Sequence, residues 1–133
     1  MASSRSYYSN TIEHFLKDDE SYILGELTRK HSHNLENLQR NAWVSQIQIL
    51  KDCFCGGNEG SVFFEFAIPR MGKRVDNIVI IGDLIFVIEF KVGADRYEKH
   101  AVEQILDYSL DLKNFHEGSH DKKIIPVLVS TQA

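Results

Sequence analysis

The chain has 133 residues, a length that suits one domain. Hydrophobic residues make up 43% and charged residues 26%, the balance of a globular protein with a single core. The longest apolar run, residues 78–88, is interrupted by Gly82 and Asp83 and is too short to cross a bilayer. The first ten residues contain no apolar segment of a secretory signal. Disordered and membrane classes are therefore excluded, and we expect a cytoplasmic protein.

The formal net charge of −4 counts against a strongly DNA-binding surface, because phosphate contacts need basic side chains. A metal site would change this locally, since a bound cation inverts the sign, and a partner domain could add basic surface.

Cys53 and Cys55 are too close for a good disulfide. A zinc site joining them to His31 and His33 has unusual ligand spacing, so we expect ordinary thiols.

The first half of the chain is predicted to be helical. Apolar residues recur at helical spacing over residues 11–16, 22–28 and 35–54. Asn10 or Thr11 would cap the first helix, and a Gly-Gly-Asn sequence stops the third.

The second half changes to strands. Period-two alternation predicts strands over residues 62–68, 74–81 and 84–92, and helical periodicity returns over residues 95–115. The apolar run 124–130 is typical of a buried parallel strand. The sequence therefore predicts an α/β domain with a mixed sheet of about four strands, an antiparallel meander plus one parallel strand after a crossover helix, flanked by helices. No covering layer follows the last strand, so we expect the N-terminal piece of a longer protein.

The turn between the second and third strands predicts their register. Gly82 and Asp83 suit a two-residue hairpin loop with glycine first, and Ile81 then opposes Leu84. One face would carry the odd-numbered residues from Val75 to Ile81 and the even-numbered residues from Leu84 to Phe90, which are nearly all apolar.

The opposite face of this hairpin carries charge. Asp76 is predicted directly opposite Glu89, and Arg74 opposite Lys91. Opposed carboxylates repel each other, and burying them unpaired costs on the order of several kcal/mol. A hard cation removes this conflict, because Mg²⁺ prefers one or two carboxylates with waters and phosphate oxygens. Lys91 could then orient or deprotonate a water, or stabilise charge on a reacting phosphate.

A third acid is a candidate for the same row. If residues 69–72 form a loop, Ile68 opposes Lys73, and Glu65 then opposes Asp76. The alternative for Glu65 is a solvated strand residue.

The following helix adds further candidates. Gln104 and Tyr108 are four residues apart and share a helix face, from which Gln104 could reach Lys91 or a phosphate. Tyr108 is a candidate for contact with nucleic acid, and it also suits the helix's buried stripe. Arg70 and Arg74 are candidates for phosphate contacts, although surface arginines are commoner.

Three motifs carry a resemblance: Arg74-Val75-Asp76, Glu89-Phe90-Lys91 and Gln104-x-x-x-Tyr108. Together they resemble the PD-(D/E)XK nuclease superfamily, in particular its RecB-like and lambda-exonuclease-like subgroup. Val75 stands where the first motif usually has proline. A closer likeness, to the N-terminal region of bacterial proteins that continue into a superfamily 1-type helicase, covers most of the chain. It is carried by Ala42-Trp43, Phe64-Glu65-Phe66, the segment 68–76, the segment 89–93, Asp107-Tyr108 and Phe115-His116.

This resemblance implies roles for the candidate residues. Asp76 and Glu89 would be metal ligands with the Phe90 main-chain carbonyl as a third, Lys91 the catalytic lysine and Gln104 a supporting residue. The superfamily often adds a glutamate from its first helix. Glu26 and Glu36 are both candidates here, and the choice stays open.

The implied fold is a restriction-endonuclease-like core, and the implied activity is Mg²⁺- or Mn²⁺-dependent hydrolysis of phosphodiester bonds, with DNA as the expected nucleic acid. A C-terminal helicase-type domain is the expected partner in the full-length protein. The alternative is an inactive nuclease-like module that binds nucleic acid or docks the helicase domain without cutting. Exo- or endonucleolytic cleavage, RNA as a substrate and homo-oligomerisation stay open.

Overall fold

The computed structural model describes residues 5–31, 37–54, 59–68, 72–115 and 123–132. A five-stranded sheet has helices on both faces. In chain order the elements are β1 (Tyr8–Thr11), α1 (Ile12–Lys17), α2 (Glu20–Lys30), α3 (Asn37–Cys53), β2 (Ser61–Ile68), β3 (Lys73–Ile81), β4 (Leu84–Lys91), α4 (Lys99–Phe115) and β5 (Lys123–Ser130). Among the described residues, no helix has the length and apolar character needed to cross a bilayer.

The strands lie in the order β1-β2-β3-β4-β5. The first four pair antiparallel, and β5 pairs parallel to β4. The predicted meander and parallel strand are therefore confirmed, but the sheet has five strands and not four. The missed strand, β1, has only four mostly polar residues and follows β2 from Tyr8↔Phe64 to Thr11↔Ser61. Its sequence carries no alternation of its own, so the pairing with β2 is what makes it a strand.

The helix boundaries follow from local hydrogen bonds. Thr11 caps α1, because its side-chain oxygen accepts from the His14 N–H at 3.1 Å. Helix α4 begins at Lys99, later than predicted from residue 95. The reason lies in the preceding loop, where the Arg96 carbonyl accepts from the Ser130 hydroxyl at 2.9 Å and is not used to start a helix.

Two hydrophobic cores lie on opposite faces of the sheet. The first core packs α1, α2 and α3 on the sheet and includes Ile12, Phe15, Ile23, Leu27, Trp43, Ile47, Leu50, Val62, Phe64, Val79, Ile88 and Phe90. The second core lies under α4 and includes Phe66, Ile68, Val75, Ile78, Ile85, Val87, Ile105, Tyr108 and Leu112. Burying both faces suits the nearly continuous apolar character of the central strands.

In both β2 and β3, the buried side chains switch from one face of the sheet to the other part-way along the strand. Val62 and Phe64 pack in the first core, whereas Phe66, two residues on, packs in the second. In β3, Val79 packs in the first core and Val75 in the second. The prediction that Val75 shares a face with Val79 is therefore wrong.

The physical cause of this exchange is an interruption of the β2–β3 ladder. Pairs form on either side, but Glu65 and Asp76 are skipped. Glu65 has a φ of 55°, a backbone conformation that few non-glycine residues adopt. The Arg74 guanidinium donates to the Glu65 carbonyl at 2.6 Å and lies over the Tyr7 ring, with its central carbon 4.4 Å from the ring centroid. These contacts fix the twisted segment where the sheet changes faces.

Candidate active site

The hairpin of β3 and β4 forms the centre of the candidate site. Its pairs run from Ile81↔Leu84 to Asn77↔Ile88, which confirms the register predicted from the turn. The ladder ends one pair before Asp76 would meet Glu89.

Side chains replace the ladder beyond that point. The Asp76 N–H donates to Glu89 Oε1 at 3.1 Å, and the Phe90 N–H donates to Asp76 Oδ2 at 2.8 Å. The two carboxylates therefore lie side by side, and each is held by the main chain of the opposite strand.

Burial gives this carboxylate pair unusual electrostatics. Glu89 is 7% exposed, and burial together with the charge of Asp76 raises the pKa of its carboxyl to about 8. Burial also raises the pKa of Asp76, against the opposing effect of the hydrogen bond from the Phe90 N–H. Without a cation, the pair therefore holds a proton at neutral pH, because the site favours the uncharged form.

Lys91 lies beside the pair. Its Nζ is 4.0 Å from Glu89 Oε2, and its side chain is about one-third exposed. The Nζ donates to Gln104 Oε1 at 3.4 Å, and Gln104 Nε2 donates to the Tyr108 hydroxyl at 2.9 Å. Helix α4 thus fixes Lys91 through a chain of two hydrogen bonds. Tyr108 itself is 3% exposed and packs in the second core, so its predicted contact with nucleic acid does not fit.

Glu65 lies near Asp76 but turns toward α3. Its Oε2 accepts from Trp43 Nε1 at 3.3 Å. Burial, with a further contribution from the charge of Asp76, raises the pKa of Glu65 to about 7. The predicted Ile68↔Lys73 pair forms, but the face exchange removes Glu65 from the ladder. The charge of Asp76 therefore affects Glu65, but Glu65 does not form the regular row of three acids that we predicted.

Arg74 does not lie beside Lys91. It donates to the carbonyls of Arg5 at 3.1 Å and Glu65 at 2.6 Å, on the side of the sheet where Tyr7 packs. The predicted shared face is wrong for Arg74, because β3 twists between it and the hairpin ladder. Its Nη1 group helps to hold the fold through these two carbonyls, and the phosphate contact of Arg74 stays a prediction.

Three other predicted positions contribute no described part of the site. Arg70 and Glu36 lie outside the described residues. Glu26, on α2, forms an ion pair with Arg29 at 2.9 Å and does not line the cleft beside Asp76 and Glu89. The predicted helix glutamate is therefore not supplied by Glu26.

Nor do the described parts of the zinc alternative come together. Cys53 is an exposed free thiol, and the His31 ring packs against the Trp43 ring with centroids 5.7 Å apart. Cys55 and His33 lie outside the described residues.

A cleft of about 850 Å³ opens beside the pair, between α3 and the end of β4. It is lined by Gln39, Asn41, Ala42, Gln46, Asp76, Glu89, Phe90, Lys91, Val92, Gly93 and Ala94. Gln46 was missed from the sequence. The available signal was its position four residues from both Ala42 and Leu50, where it interrupts the apolar stripe of α3.

The donor set of this cleft suits a hard cation. Among the described residues, no three His, Cys, Asp or Glu side chains group closely enough to hold a metal ion, so other oxygens would have to contribute. The Lys91 carbonyl accepts from the Thr131 N–H on the β5 side. Because successive strand carbonyls point opposite ways, the Phe90 carbonyl points to the opposite side, toward β3, the strand that carries Asp76. Two adjacent carboxylates and a carbonyl are oxygen ligands of the kind that Mg²⁺ takes, with waters completing its shell.

Comparison of the chain with protein-family models, with curated proteins and with solved structures gives no match. What can be inferred about its function therefore depends on the site itself.

Proposed function

We propose that the chain is a metal-dependent nuclease domain with a restriction-endonuclease-like core, and that it hydrolyses phosphodiester bonds of nucleic acid, with DNA as the expected substrate. One observation carries the proposal. Half-buried Asp76 and buried Glu89 lie side by side, each held by the other strand's main chain, with the Lys91 ammonium 4.0 Å from Glu89 at a cleft. A repelling buried pair destabilises a fold unless something compensates for it, and a divalent cation does so.

Asp76, Glu89 and the Phe90 carbonyl are the groups that would hold Mg²⁺ or Mn²⁺. Such an ion supplies Lewis-acid stabilisation of phosphate oxygens and lowers the pKa of water at the site. The two N–H groups each fix one oxygen of a carboxylate and hold the carboxylates side by side, an arrangement in which both could contribute ligands to one cation.

Lys91 brings a positive charge to the cleft without being a cation ligand. Its ammonium would stabilise the negative charge that builds up on a phosphate oxygen during hydrolysis. Gln104 accepts a hydrogen bond from Lys91 and is itself anchored on Tyr108, which limits the positions that the long lysine side chain can adopt. A fixed ammonium stabilises a transition state better than a mobile one.

The test is a cleavage assay on single- and double-stranded DNA and on RNA, with Mg²⁺, with Mn²⁺ and with a chelator. Asp76→Asn and Lys91→Ala should each lower the rate by roughly 100-fold or more, because each removes a charge at the reacting centre. Lys113→Ala is the matched control, since Lys113 is an exposed lysine in the last turn of α4. Equal activity in wild type and all three variants would refute the assignment.

A second candidate is a module that binds nucleic acid or docks a helicase-type partner domain without cutting. It is favoured by the scarcity of positive charge, since among the described residues lining the cleft only Lys91 is basic. Calorimetric titration with Mn²⁺ separates the two candidates. A chain that binds no Mn²⁺ but does bind nucleic acid would be such a module.

A further inference from the structure

Gln46 is a buried polar residue of the cleft that takes part in none of the interactions described so far. It lies on α3 beside Trp43 and Ile47 of the first core and is 2% exposed, yet it lines the cleft with Asp76 and Glu89. Its Oε1 is buried and has no hydrogen-bond partner among the described residues. A buried acceptor without a donor destabilises the folded state, and the described residues provide no donor for this one.

The neighbouring groups do not meet this need. Among the described residues, no hydrogen bond joins the Gln46 amide to Asp76 or Glu89. The Lys91 ammonium is directed to Gln104 and Glu89. The cleft contains ample space for water, and a polar site with an unpartnered acceptor is where ordered water is expected.

A divalent cation at the carboxylate pair would bring such water with it. Mg²⁺ gives up its hydration water reluctantly and usually keeps several water ligands, all of which are hydrogen-bond donors. One oxygen of each carboxylate is already occupied by a main-chain N–H. Asp76 and Glu89 keep further acceptor sites, and Gln46 lines the same cleft. Its neutral amide oxygen would supply one more acceptor for hydration water without adding a third negative charge.

We propose that Gln46 Oε1 accepts a hydrogen bond from a hydration water of the divalent cation held at Asp76 and Glu89. Gln46 is then a positioning residue, and its proposed role rests on the cation site of the proposed function. Because Gln46 is almost fully buried, its rotamers are restricted and the acceptor keeps a defined direction. Groups that hold the outer surroundings of a metal typically change its affinity by roughly 10- to 100-fold.

The experiment measures Mn²⁺ affinity by calorimetry and by electron paramagnetic resonance of the free ion, with no nucleic acid present. Gln46→Met keeps the length of the side chain and removes the acceptor, so its affinity should fall roughly tenfold. Gln46→Glu restores an oxygen acceptor and should bind at least as tightly as wild type. Gln48→Met is the matched control, because Gln48 is exposed on the same helix and donates to Glu20, away from the cleft.

Melting temperatures of the metal-free proteins give a second readout. Gln46→Met should melt at or above the wild-type temperature, because it removes an unpartnered buried acceptor. A purely structural role for Gln46 predicts the reverse, a lower melting temperature with unchanged Mn²⁺ affinity, and that result would overturn the proposal. Gln46→Glu binding as weakly as Gln46→Met would overturn it too.

Failure of this inference is distinguishable from failure of the nuclease assignment. Wild type that binds Mn²⁺ with the expected ranking of variants, but cleaves no DNA or RNA, would refute the nuclease and support the role of Gln46. Wild type that cleaves while Gln46→Met binds Mn²⁺ like Gln48→Met would support the nuclease and refute the role of Gln46. Wild type that binds no Mn²⁺ would overturn both.

Discussion

Replacement of Glu89 by glutamine should change how the stability of the metal-free protein depends on pH. The carboxyl has a folded pKa of about 8, against an ordinary value of 4.5. Because the folded pKa is the higher one, the native state binds the proton more tightly than the unfolded state. The stability that this proton contributes is complete below about pH 4.5 and is lost as the pH rises toward 8.

The size of the effect follows from the shift. One pKa unit corresponds to about 1.4 kcal/mol, so Glu89 costs the native state on the order of 4 kcal/mol at pH 8 relative to pH 4. Glu89→Gln keeps an oxygen that can accept from the Asp76 N–H, and it carries no charge to desolvate. The variant should therefore lose much less stability than wild type over this range. Asp76 and Glu65, whose pKa values are also raised, leave the variant with a residual dependence of stability on pH.

Urea unfolding at pH 5 and pH 8 in a chelator measures the slope directly. Glu13→Gln is the control, because Glu13 is 71% exposed and should leave the wild-type slope unchanged. At pH 8, saturating Mn²⁺ should raise the free energy of unfolding of the wild-type protein, and should raise that of Glu89→Gln by less. If Glu89→Gln loses as much stability as wild type between pH 5 and pH 8, the carboxylate pair is not strained in the way the geometry implies.

Three further outcomes are expected. Lys51→Met should lower the free energy of unfolding in urea by about 2 kcal/mol, because the Lys51 ammonium donates to three carbonyls at and after the end of α1. A change below measurement error would contradict this reasoning. Gln104→Ala should lower the cleavage rate by roughly tenfold, less than Lys91→Ala does, since it only loosens the lysine; an effect as large as that of Lys91→Ala would mean that Gln104 acts directly. Trp43→Phe removes a hydrogen-bond donor that lowers the pKa of Glu65, so this pKa should rise above about 7. Nuclear magnetic resonance of the side-chain carboxyl carbon during a pH titration measures it, and a fall in the pKa would refute the hydrogen bond.

The parts of the site that lie within one hairpin could be predicted from the sequence. The Gly82-Asp83 turn fixes the register of β3 and β4, because loop length and turn type set the pairing of a hairpin. That register brings Asp76 next to Glu89, and the 3.6-residue period brings Gln104 next to Tyr108. Each of these relations depends on local geometry that sequence spacing expresses.

The parts that depend on distant contacts could not be predicted. Alternation along β2 implies a single buried face, whereas Glu65 at a φ of 55° redirects the strand under the influence of Arg74 and Trp43. Nothing in the spacing of β2 shows that a non-glycine residue will take this conformation. The late start of α4 likewise depends on a carbonyl of its loop that Ser130 uses.

The place of Gln46 in the cleft is a third case. A polar residue in an apolar stripe is visible in the sequence, but whether it meets a partner depends on which acids the sheet places across from α3.

The crossed hydrogen bonds at the end of the hairpin have one more consequence. The amides of Asp76 and Phe90 donate to carboxylate oxygens, where a continuous ladder would offer carbonyls. The chemical shift of an amide proton that donates to a carboxylate changes when that carboxylate gains or loses its proton, and when an ion binds to it. These two main-chain N–H groups are thus built-in spectroscopic reporters, whose nuclear magnetic resonance signals should follow the ionisation of the site from within the sheet.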